Sequence, residues 1–191
     1  MAEPSAAERV DAAMREVPRA SYLPLDQRGY AEADRALPIG HGQTNSQPTT
    51  VRNMLVALDT EPGQRVLDVG SGSAWTTALL AHLVGPTGEV IGVERVPELV
   101  EWGRANLAAA GMPWARIIAA DPHQLGAPAY APYDRILVSA MATHVPEALC
   151  HQLAPDGILV VPAQGELWQV DAEGRARSLG YYAFVPLLGE Q

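Results

Sequence analysis

The sequence predicts an α/β fold: a Rossmann-like doubly wound, mostly parallel seven-stranded sheet with helices on both faces and a C-terminal antiparallel hairpin. Three observations carry this expectation. From residue 65 onward, short β-branched runs alternate with stretches of helical periodicity. The first run leads into LDVGSGSAW, a glycine loop that opens a helix. Near the end, ELWQVD and the stretch from Arg177 to Pro186 flank the turn signal AEGR. With 191 residues the chain can build one sizeable core. The expected organisation is a single domain over 1–191, with N-terminal helices and a ligand loop in 1–60 and the Rossmann-like core and hairpin in 61–191.

The elements follow in order. SAAERVDAAMREV reads as a helix, with Ser5 as cap, Glu8 completing a capping box, and Val10, Ala13, Met14 and Val17 on one face. Pro18 ends it. Residues 18–47 look irregular. The apolar anchors Tyr22, Leu23, Leu25, Tyr30, Leu37 and Ile39 favour an ordered, functional segment. A second helix starts near Gln47 or Pro48 and buries Val51, Met54, Leu55 and Leu58.

The alternation then begins. RVLDV is a strand, and AWTTALLAHLV is a helix ended by Gly85. EVIGVE is a strand, and VPELVEWGRANLAAAG is a helix between Pro97 and Gly111. ARIIAA and YDRILVSA are strands, HVPEALCHQL a helix, and GILVVP the fifth strand. Right-handed crossovers place ligands beyond the carboxyl ends of these strands, beside the first.

Composition narrows the function. The net charge is −9, and the basic residues are all arginine, scattered singly. That argues against a nucleic-acid partner. No apolar run is long enough to cross a membrane. The stretch MAEPSAAERVDAAMREVP carries four acidic residues and no apolar block, so a signal peptide is not expected and the protein is read as cytoplasmic. A single cysteine, Cys150, excludes an internal disulfide framework and reads as a small apolar group. His82, His144 and His151 fit helix surfaces or caps, and His41 and His123 fit solvated loops. No metal spacing is present.

The glycine loop selects a ligand class. A dinucleotide loop needs a third glycine where this chain has Trp75. Trp75 either covers a cofactor edge or packs; Trp102 and Trp114 read as packing residues. Asp68, two residues before Gly70, would repel a pyrophosphate and suit a cation. Glu94 ends the second strand, 22 residues beyond Gly72, and an acid there can accept ribose hydroxyls. Asp121 ends the third strand, where an adenine amino group can be read. Three acids on successive strand ends favour S-adenosyl-L-methionine over NAD. The cofactor residues expected are Gln43, Asp68, Gly70, Ser71, Gly72, Glu94, Arg95, Asp121 and Pro122.

The stretch GHGQTNSQPTT gathers two glycines, four hydroxyls, three amides and a histidine before a helix. Together with LPIGHGQTNSQP, LDVGSGSAW, IGVER, YDRILVSAM, LAPDGILVVP and the ending FVPLLGE, it resembles the protein-L-isoaspartate O-methyltransferases over nearly the whole chain. The resemblance implies a repair enzyme, with S-adenosyl-L-homocysteine as product. It would methylate the free α-carboxylate of L-isoaspartyl residues in peptides and proteins, as a monomer. A carboxylate is already ionised near neutral pH, so it needs positioning by neutral donors rather than a base. Thr44 and Ser46 are the expected catalytic residues. Gln43, Asn45, Ser46 and Val185 are expected at the substrate, the last through its backbone. Ser46 as a helix cap is the plainer reading.

Three positions depart from the family pattern: Asn45 replaces an apolar residue, Ala74 a glycine, and Pro122 a glycine whose N–H is thereby lost. Two further readings stay open: an aspartate methyltransferase that tailors a dedicated peptide through a succinimide, and a catalytically weak cofactor-binding module.

Overall fold

The computed structural model describes residues 3–187. Helix α1 (Ala6–Glu16) begins with the capping box expected: Ser5 Oγ accepts the Glu8 N–H, and the Glu8 carboxylate accepts the Ser5 N–H. The segment after Pro18 is more regular than its sequence suggests. Two short 3₁₀ turns, Arg19–Tyr22 and Arg28–Tyr30, lead into strand β1 (Leu37–Gly40). It pairs antiparallel with β2 (Gln43–Asn45). The alternation was present in the residues: Leu37 and Ile39 are buried, Pro38 and Gly40 exposed. Helix α2 (Pro48–Leu58) starts at proline and buries Val51, Met54, Leu55 and Leu58.

The central sheet follows: β3 (Arg65–Val69), α3 (Trp75–Val84), β4 (Glu89–Glu94), α4 (Pro97–Ala110), β5 (Ala115–Ala119) and β6 (Tyr133–Val138). Then come α5 (Glu147–Cys150), β7 (Leu153–Ala163), β8 (Glu166–Asp171) and β9 (Ala176–Tyr181). The strand order is β5-β4-β3-β6-β7-β8-β9. The pairings are parallel through β7, and β8 and β9 add antiparallel. The predicted sheet and hairpin are therefore both present.

Period-two alternation sorts the side chains between two cores. Val66, Val90, Leu137 and Val160 face α1, α2, α3 and part of α4. Their neighbours Leu67, Ile91, Ile136 and Leu159 face the other side. That second face is covered more thinly. The expected helix HVPEALCHQL shortens to the single turn α5. Gln152 explains the early end: its amide is buried, bonding the Leu125 and Ala148 carbonyls and the Ala127 N–H. This holds the chain for β7 rather than for more helix.

Two backbone positions bring the layers together. A Cβ on Gly103 would meet Ile117 Cδ1 at 2.5 Å and the Gly72 carbonyl oxygen at 3.2 Å, so glycine lets α4 lie close to β5 and the glycine loop without displacing the Ile117 side chain. Ala74, before α3, holds φ 76° and ψ 15°. The left-handed geometry is the one that favours glycine, and alanine carries it here at a cost of about 1–2 kcal/mol.

Candidate active site

Strands β3 and β6 lie side by side at the point where strand order reverses, and their carboxyl ends open a cleft. It encloses about 760 Å³ including its open mouth. Val69, Gly70 and Gly72 form its floor, and Glu94 and Arg95 one wall. Asp121, Gln124 and Gly126 form the far end, with Gln43, Thr44 and Val185 over the top. Eight of the expected site residues thus converge: Gln43, Thr44, Gly70, Gly72, Glu94, Arg95, Asp121 and Val185.

Glu94 is held in place by backbone. Its Oε1 accepts the N–H groups of Arg95 and Val96 at 2.7 and 2.9 Å. Its Oε2 accepts the Gly72 N–H at 2.8 Å. A carboxylate has about four lone-pair positions, so one on Oε2 is left to face the cleft. Three fixed donors orient the side chain, which is 7% exposed.

Asp68 differs from expectation. It has no exposed surface and does not line the cleft. Its Oδ2 accepts from Thr77 Oγ1 at 2.7 Å, and its Oδ1 from Ser139 Oγ at 3.4 Å. Period-two geometry points it under the loop, toward α3. Burial raises its pKa to about 6, against the lowering by Thr77 and Ser139, and nearby Glu94 raises it further. Direct contact with a ligand is thus excluded in this conformation, and its charge acts through neighbours.

A smaller pocket, about 280 Å³ including its open mouth, adjoins the cleft under the β1–β2 hairpin. Thr44, Asn45, Ser46, Ser71 and Ser73 line it, with Gly70 and Gly72 shared between the two spaces. Ser46 and Ser71 therefore sit at this adjoining pocket rather than in the main cleft. Ser46 does not cap α2; Gln47 occupies the cap position and gives no side-chain bond to the helix's first backbone N–H groups. Asp34 serves instead from the preceding loop. Its carboxylate accepts the Thr49 N–H and Oγ1, both at 2.9 Å, and the Gln47 amide.

Asn45 is 6% exposed, and its side chain turns inward. Its Oδ1 accepts from Arg19 Nε at 2.7 Å, and its Nδ2 reaches Ser73 Oγ at 3.4 Å. Arg19 itself is buried over the Trp75 ring. It donates to the carbonyls of Ala31, Ala33, Arg35, Asn45 and Ser46. Burial pulls its pKa down to about 10, which still leaves it charged at neutral pH. Trp75 is resolved as a packing residue: it is 3% exposed and donates Nε1–H to the Val17 carbonyl. Trp114 likewise packs, donating to Ala81.

At the far end Asp121 accepts the His123 N–H at 2.8 Å. Pro122 faces a neighbouring surface groove, not the cleft. The Val185 carbonyl accepts the Met141 N–H at 2.7 Å, and Leu187 N–H returns to the Met141 carbonyl. The end of FVPLLGE beyond Leu187 lies outside the described residues. Sequence reasoning missed Arg19, Gln124 and Ser139. Ser139 had a readable signal, being a hydroxyl at the end of the strand beside the glycine loop.

A family model for protein-L-isoaspartate(D-aspartate) O-methyltransferase matches residues 3–189. The chain belongs to this family. A protein-L-isoaspartate O-methyltransferase of Methanopyrus kandleri is 47% identical, over 96% of this chain and 84% of its own. One from Aeropyrum pernix is 45% identical, over 95% and 73%. Among solved structures, a protein-L-isoaspartate O-methyltransferase from Plasmodium falciparum superposes with a TM-score of 0.83 at 26% identity. The alignment covers 96% of this chain and 91% of that one, which was solved in complex with S-adenosyl-L-homocysteine.

The site of this family member fits such a nucleoside. The cleft opens beyond the carboxyl ends of the strands, where ligands of such sheets sit. The open lone pair of Glu94 suits a ribose hydroxyl, and the exposed Asp121 an amino group. Among the described residues no cluster of histidine, cysteine or carboxylate side chains could hold a metal ion. No helix among them is long and apolar enough to cross a membrane.

Proposed function

We propose that this chain transfers a methyl group from S-adenosyl-L-methionine to the free α-carboxylate of L-isoaspartyl residues in damaged peptides and proteins. The observation that carries the reading is the hydroxyl-lined pocket under the β1–β2 hairpin, which shares Thr44, Gly70, Gly72 and Ser139 with the cleft at the strand ends. The cofactor supplies an electrophilic methyl on a sulfonium.

The chain's residues do the rest by placement. Thr44 and Ser46 offer neutral hydroxyl donors to the acceptor carboxylate, Thr44 bordering both spaces, and Gln43 adds an amide from the cleft side. Neutral donors hold the anion without drawing off the electrons it must donate. No general base is required, since a carboxylate with pKa about 3.3–3.9 is already ionised. The hairpin limits the water around the acceptor. Glu94 takes the ribose, Gly70, Ser71 and Gly72 supply the close loop, Arg95 borders it, and Asp121 takes the adenine. Pro122 supports Asp121 in the turn. Val185 offers backbone to the peptide. Asn45 contributes its backbone there, since its amide is engaged by Arg19. That engagement gives the departure at Asn45 an architectural role.

The protein is read as one domain working as a monomer in the cytoplasm, without a nucleic-acid partner; the scattered arginines and the charge of −9 support this. The test is incubation with methyl-labelled cofactor and an isoaspartyl peptide beside its aspartyl twin. Labelling of the isoaspartyl peptide alone supports the reading. Equal labelling of both, or none of either, overturns it.

A further inference from the structure

Five residues line both the cleft and the hydroxyl-rich pocket: Ile39, Thr44, Gly70, Gly72 and Ser139. Only two of them carry a hydroxyl. Thr44 comes from above, on the hairpin. Ser139 comes from below, directly after β6, and its backbone N–H is fixed to the Val69 carbonyl at 2.8 Å. It thus stands between β3 and β6, where the strand order reverses. A Cβ on Gly70 would lie 3.9 Å from Ser139 Cβ, so the absent side chain at Gly70 leaves the serine open to the space above.

The direction of the Ser139 proton decides its chemistry. Its Oγ–H points to Asp68 Oδ1, a carboxylate with no exposed surface. A hydroxyl that gives its proton away keeps two lone pairs. Those lone pairs are what Ser139 presents to the ligand space. They would repel the acceptor carboxylate and attract a cation. The Thr77 hydroxyl also donates to Asp68 but is fully buried and lines neither space, so Ser139 is the group that relays the negative charge to the ligand. The cofactor read under the proposed function has one cationic group that survives in the product, its ammonium.

We propose that Ser139 is a cofactor-binding residue: its Oγ accepts a hydrogen bond from the ammonium group, and Asp68 behind it is the positioning residue that fixes the proton and supplies the charge. The inference rests on the S-adenosyl reading of the cleft. It assigns a role to a fully buried acid that direct contact leaves without one.

The test uses calorimetry on the full chain with two probes. S-adenosyl-L-homocysteine carries the ammonium; 5′-methylthioadenosine shares the nucleoside and thioether but lacks the amino-acid end. In Ser139→Ala the first should bind about tenfold more weakly, the size of one charge-assisted hydrogen bond. The second should change by less than about twofold. Ser139→Thr restores the hydroxyl and should recover most of the loss. Asp68→Asn should show the same selectivity between probes, with thermal melting to verify folding. Equal weakening of both probes, or no weakening of the first, overturns the proposal. So does failure of threonine to rescue. If the unaltered chain binds neither probe, the cofactor reading itself falls, and that outcome is separate from unaltered binding by the Ser139 variant.

Discussion

Arg19 Nε donates to Asn45 Oδ1 at 2.7 Å, and both side chains are almost fully buried. This bond joins the turn after α1 to the strand that leads into Ser46. Arg19 also grips the Asn45 and Ser46 carbonyls, so the hairpin exit is held by one guanidinium. Asn45 passes the connection to Ser73 in the glycine loop.

Replacing Asn45 by isoleucine, an apolar side chain of similar reach, would leave the Arg19 Nε–H buried without a partner. A buried donor left unsatisfied costs about 1–3 kcal/mol, and more when it is charged. The variant is expected to melt several degrees lower, roughly 2–4 °C per kcal/mol for a chain of this size. Differential scanning calorimetry checks it, and an unchanged melting temperature would show that the bond contributes nothing.

Ser46→Ala removes a donor from the pocket beneath the hairpin while leaving the cleft walls intact. On the proposed mechanism kcat/KM for an isoaspartyl peptide falls about tenfold or more. Affinity for S-adenosyl-L-homocysteine changes by less than about twofold. Steady-state kinetics and calorimetry together separate the two quantities.

Asp68 gives stability a sign with pH. Its carboxyl titrates near the ordinary value of about 3.9 when unfolded, and at about 6 when folded. Between these values the folded chain holds the extra proton. Stability therefore falls as pH rises from about 4 to about 6, and the cost stays in full above that, on the order of 3 kcal/mol. Asp68→Asn has no proton to lose. Denaturant titrations across this range should show the slope in the natural chain and a flatter profile in the variant.

Asp34 lies outside α2 yet caps it through Thr49. The Thr49 N–H, followed by the Gln47 amide and the Thr49 hydroxyl, holds the Asp34 carboxyl below its usual pKa. The cap is present above that lowered value and lost as pH falls through it. In Asp34→Ala the Thr49 amide should exchange hydrogen faster at neutral pH, with amides in the middle of α2 unchanged. Equal rates at Thr49 in both proteins would remove Asp34 from the helix start.

Much of this was legible in the residues. RVLDV, EVIGVE and ELWQVD are strands residue for residue, because β-branched runs bounded by turn signals have few other fates. The acid at Glu94 was legible for the same reason: a strand end fixes where a side chain emerges. Asp68 was misplaced by a physical rule that also acts on strands. One residue short of the strand's last position, it turns into the core instead of out of the cleft. The β1–β2 hairpin was hidden because its strands are only four and three residues long and joined through glycines. Arg19 could not be read at all. Its partners are carbonyls spread from Ala31 to Ser46, and a backbone acceptor leaves no mark in sequence.

That choice of acceptors sets the hairpin apart from the outer helices. Arg9–Asp59 and Arg52–Asp11 hold α1 and α2 through partly exposed opposite charges, which dissolved ions weaken. Arg19 is bonded to peptide dipoles behind a wall of side chains, out of reach of those ions. A change in the ionic strength of the medium would slacken the exterior of the N-terminal helices, while the geometry around Ser46 stays insulated from it.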